Sequence, residues 1–142
     1  MQVRKVALIV AAILVLLSDV ALGQTDKDQD CASSLDRPIY PRLARLSGMT
    51  GVVSASFVVG TSDQAENIQL SGHPILAAEV GKAVRRTGFP AACQSHTVTL
   101  NFKFVLEGEL ADQPTTSVVF KSPNEYIVTS YVTGIICALN AT

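Results

Sequence analysis

The chain has 142 residues, the length of one ordinary domain, with 48% apolar, 16% charged and 6% aromatic residues. Eleven Lys and Arg against twelve Asp and Glu leave a formal net charge of -1, without the basic excess of a general nucleic-acid binder. Two histidines and three cysteines at wide spacing leave little room for a metal site or a catalytic cluster. Composition favours a small exported binding or structural domain over an enzyme.

Arg4 and Lys5 precede an unbroken apolar run from Val6 to Leu17, and Ala21-Leu22-Gly23 supplies small residues where a signal peptidase reads. This is the pattern of a secretory signal peptide, residues 1–23, with cleavage expected after Gly23. The alternative is a retained anchor, which would be the chain's one membrane contact. A spanning helix needs about 20 apolar residues, however, and Asp19 would fall in its last buried turn. Residues 24–38 form a polar leader, and Asp26, Asp28, Asp30 and Asp36 suit it to solvent rather than core.

Export places the chain where disulfides form and persist. Cys31, Cys93 and Cys137 leave at least one thiol over in a monomer, and no pair has the short spacing of a zinc site. Cys93 sits just before the longest strand and Cys31 on a leader able to swing toward it. That pair is the expected bridge, with Cys93 to Cys137 as the competitor.

In chain order, Pro41 to Ser47 reads as a short helix, because Pro suits a first helical position and Gly48 can close the end. From Val52 to Val59 apolar residues alternate with Ser54 and Ser56, the period of a half-buried strand. Gly60 to Glu66 is a turn, and Asn67 to Leu70 returns as a second strand to make a hairpin. Between Ile75 and Thr87, Leu76, Val80, Ala83 and Val84 recur at helical spacing, with Lys82, Arg85 and Arg86 toward the end. His96 to Leu106 is the cleanest strand: Val98, Leu100, Phe102, Phe104 and Leu106 take one face, with Thr97, Thr99, Asn101 and Lys103 opposite. One apolar and one polar face belong to an antiparallel sheet wetted on one side. Thr116 to Lys121 and Tyr126 to Val132 read as two more strands, with Ser122-Pro123-Asn124 as their turn.

The stretch from Tyr40 to Gly108 resembles the TonB C-terminal domain family. The likeness lies in Tyr40-Pro41-Arg42-Leu43-Ala44-Arg45, the glycine-led strand Gly51-Val52-Val53, Ser71-Gly72-His73-Pro74, Phe89-Pro90 and Phe102-Lys103-Phe104. Tyr40, Pro41, Gly51, Pro74, Phe89 and Phe104 carry the motif. The resemblance implies an α+β domain, residues 39–108, with helices on one face of an antiparallel sheet, extended here by residues 109–142 with a C-terminal β-hairpin. It also implies energy transduction to outer-membrane transport receptors from the periplasm, by pairing with a short receptor segment. Three features depart from the family: Thr61-Ser62-Asp63-Gln64 replaces a glycine turn, Thr87 stands where a Trp is common, and the leader is short for a tether. Fully extended, the leader reaches roughly 50 Å.

On this reading the chain is not an enzyme and needs no cofactor or metal. Ser71-Gly72-His73 lacks the glycine-flanked serine of a hydrolase elbow, and His73 and His96 suit capping or surface roles. A protein partner is expected to pair with the edge of the strand Thr97 to Leu106, with Asn101, Lys103 and Val105 on its outer face supplying specificity. A cell-envelope structural domain, self-associating as a homodimer or bound to wall polymer, is the alternative. A free edge on that strand favours receptor-type binding, and an edge occupied by the C-terminal hairpin favours the structural reading.

Overall fold

The computed structural model describes residues 25–108 and 116–132. The expected signal peptide, the linker after Gly108 and the tail bearing Cys137 lie outside the described residues. The elements in order are α1 (Thr25–Ser33), α2 (Arg42–Leu46), β1 (Gly51–Val59), β2 (Ala65–Ser71) and α3 (Pro74–Arg86). A 3-10 turn (Ala91–Cys93), β3 (Thr97–Gly108), β4 (Ser117–Lys121) and β5 (Glu125–Val132) complete them.

Five strands make one sheet in the order β2-β1-β3-β5-β4. Alternation decides its two faces. Val53, Ala55, Phe57 and Val59 of β1 are buried, as are Val98, Leu100, Phe102 and Phe104 of β3 and Tyr126 and Val128 of β5. Leu76, Val80 and Val84 of α3 join the same buried cluster, together with Ala44 of α2. Helices therefore cover one face, and the other is wet. Phe57, Val84, Phe102 and Phe104 sit at the centre of this core, each 0–1% exposed. The fold is α+β, as the resemblance implies.

Local chemistry sets the entry to α3. Pro74 occupies the first turn and the His73 ring accepts a hydrogen bond from the Ile75 amide at 3.3 Å, so His73 is a cap. Gly72 has φ +124°, and a Cβ there would come within 2.7 Å of the Val52 carbonyl oxygen. Only glycine permits both this backbone conformation and the close approach of β1. At the other end Arg86 pairs with Asp36 at 2.9 Å, and Thr87 bridges its own helix to the leader, donating to Ala83 O and accepting from Asp36 N.

Two arrangements differ from the expectations. The leader is not solvated throughout: residues 25–33 are helical, and Cys31, Ala32 and Leu35 are buried in the core while Asp28, Gln29 and Asp30 face water. Pro38 is buried farther along the leader, and Cys31 is bonded to Cys93, with their Cα atoms 5.7 Å apart. The sheet is also mixed. β1 runs antiparallel to β2 and β3, but β5 lies parallel to β3, with Asn101 opposite Glu125 and Gly108 opposite Val132. The hairpin places its second strand inward and leaves β4 at the sheet edge, so β5 points the same way as β3. Among the described residues no helix is long and apolar enough to cross a membrane.

Candidate strand-pairing edge

β3 is the middle strand, and its two sides have different partners. β1 takes one side from Thr97 to Phe104. On the other side the Asn101 amide donates to the Asn124 carbonyl at 2.9 Å, and the β5 ladder continues to Gly108. Backbone groups alternate in direction along a strand, so Lys103 and Val105 turn theirs the same way as Asn101. The edge expected to accept a partner is therefore occupied, from Asn101 onward, by the chain's own hairpin.

The three side chains singled out on this edge lie on the wet face. Asn101 sits between Ser54 and Glu125 and accepts a 2.8 Å hydrogen bond from the Ser54 hydroxyl through its Oδ1. Lys103 is exposed between Val52 and Ile127. Val105 is half-buried beside Thr129. They form one row along β3 but share no cavity with a cluster of charges. No group of three or more His, Cys, Asp or Glu suited to a metal occurs among the described residues.

The motif residues serve the scaffold that holds this edge. Tyr40 packs edge-on against Phe104 with ring centres 5.3 Å apart, and its hydroxyl donates to the Met49 carbonyl. Pro41 precedes α2, Gly51 opens β1 and Pro74 opens α3. Phe89 is buried against Phe57, ring centres 5.3 Å apart. Cys31 and Cys93 form the bridge that ties α1 to the turn before β3.

Sequence reasoning missed Tyr126. Its ring stacks on Phe102 and packs against Phe120, and its hydroxyl donates to the Ala32 carbonyl at 2.7 Å. Burial pushes its phenol up to about 12, against smaller downward pulls from the Leu35 backbone and Arg37. The hairpin is thus fastened to the same helix that the disulfide fastens to the core. The run from Tyr126 to Val132 read as a strand, but nothing local marked the distant acceptor of the Tyr126 hydroxyl.

The family model for the C-terminal part of the TonB protein of Gram-negative bacteria matches residues 36–106. No curated protein and no solved structure matches the chain. The matched segment runs from the end of the leader through α2, β1, β2 and α3 to β3, and it excludes the hairpin. With half its length in that match, the chain belongs to the TonB C-terminal domain family.

Proposed function

We infer that this chain is a non-enzymatic, exported interaction domain of TonB type that takes hold of extended protein segments by strand pairing in the periplasm. Outer-membrane transport receptors are the partner class that family membership suggests. The observation that carries the reading is the family match over residues 36–106; the β3 ladder from Asn101 to Gly108 is held by β5, so a guest there must displace the chain's own hairpin. An edge that accepts β5 has the donors and acceptors to accept a guest. Because backbone pairing is largely blind to sequence, Asn101, Lys103 and Val105 on the wet face supply the selectivity. The buried Cys31–Cys93 bridge supports an oxidising compartment.

A second reading has its own support. Proteins cover sheet edges to prevent aggregation, and a hairpin kept permanently on β3 suits a structural or self-associating envelope domain. Affinity capture from envelope extract, with the exported chain as bait, separates the two. Retention of an outer-membrane receptor supports the first; retention of only this chain or wall polymer supports the second.

A further inference from the structure

The cover on β3 is incomplete. β5 begins opposite Asn101, whereas β3 begins at Thr97 and pairs with β1 from there on. Among the described residues, no strand faces Thr97–Leu100 on the hairpin side. Directions alternate along β3, so Thr97 and Thr99 turn their amides and carbonyls the way Asn101 does, toward the open side. A groove of about 340 Å³ lies there. One wall is α1, through Asp28 and Gln29; the far end is the turn at Pro123 and Asn124; Ala32 and Val98 give an apolar floor. Beside the groove, His96 meets Asp28 at 3.2 Å, an exposed contact between α1 and the residue before β3.

We propose that Thr97–Leu100 is the entry point at which an incoming extended polypeptide segment first pairs with this domain before replacing β5 along the rest of β3. The inference rests on the strand-pairing reading above and adds where the exchange starts. Two backbone donors and two acceptors in a row are complementary to an extended chain. The floor of Ala32 and Val98 admits a small apolar side chain on the guest's inward positions. A guest running parallel to β3, as β5 does, continues in register from Thr97 into Asn101 and advances toward Gly108. It peels β5 from its first residue, so no step requires the whole hairpin to leave before the guest has a hold.

The test uses the full chain and two labelled peptides. One copies β5, Glu125–Val132; the other carries the same sequence preceded by four residues, small and apolar at the two inward positions. The longer peptide is expected to enter about tenfold faster, because the extra pairing at the open stretch needs only about one hydrogen bond's net worth to give that factor. Gln29→Trp, which fills the groove from an exposed helix position, should abolish the difference. In a second measurement, amide exchange at Thr97 and Thr99 should slow before the amides from Asn101 onward change partner. Equal entry rates, no entry by either peptide, or protection that starts at the Gly108 end would each overturn the proposal. Receptor capture with equal entry rates would leave the strand-pairing reading standing and remove only this entry point.

Discussion

The Tyr126 hydroxyl donates a 2.7 Å hydrogen bond to the Ala32 carbonyl, joining β5 to α1 across 94 positions of sequence. Because Cys31, the neighbour of Ala32, is bonded to Cys93, the hairpin, the first helix and the approach to β3 form one connected assembly. Tyr126→Phe leaves the ring stack in place and strands a buried carbonyl, a loss of about 1–2 kcal/mol. Chemical denaturation of the two proteins measures it.

The same phenol makes stability depend on alkaline pH. In the unfolded chain it ionises near 10, while the folded chain holds its proton to about 12 because burial disfavours the charged form. The unfolded state therefore releases its proton first. Stability held in full below pH 10 is lost as pH rises toward 12. Tyr40, also raised by burial, acts in the same direction. Melts in that window should fall more gently for Tyr126→Phe than for the parent chain.

Truncating the central aromatics tests the packing. Phe102 and Phe104 are 0% and 1% exposed, and replacing either with Ala should cost roughly 3–5 kcal/mol. A loss below about 1 kcal/mol for both, the size of a surface change, would contradict the placement of these faces.

How far this was legible follows from the physics of each part. The period of two in β1 and β3 and the helical spacing in α3 declare which face is buried, because one face meets the core along their whole length. Ser122-Pro123-Asn124 marks the hairpin turn by its chemistry. The burial of the leader was not legible: Cys31, Ala32 and Leu35 among aspartates give no period, and a covalent bond to Cys93 supplies what the pattern lacks. Nor was the parallel seat of β5, since a hairpin's own sequence fixes its turn and not which of its strands faces a third. The strand carrying Asn101, Lys103 and Val105 was visible as a strand, but its occupied side depends on a partner far along the chain.

The bridge between Cys31 and Cys93 spans 62 positions, and closing a loop of that size stabilises on the order of 4 kcal/mol, often less in practice. Replacing both cysteines with Ser should lower the unfolding midpoint accordingly and release α1 to proteolysis. Peptide mapping without reductant checks the pairing, and a Cys93–Cys137 peptide in place of it would contradict this structure.

The signal-peptide reading makes a prediction at the N-terminus. Protein recovered from the envelope fraction should begin at Gln24, because the apolar run ends early and Ala21 and Gly23 fit a peptidase. N-terminal sequencing reads the answer directly, and an intact Met1 in washed membranes would favour the retained anchor.

The central claim is that β3 accepts a guest strand and that the chain's own hairpin competes for the place. A labelled receptor-type peptide, titrated against the chain from Gln24 and against the same chain ending at Gly108, measures this most directly, with circular dichroism to establish that the shorter chain is folded. Weak binding to the longer chain and clearly tighter binding to the shorter one is the predicted result. No binding by either folded chain would contradict the account and leave the hairpin as a permanent cover.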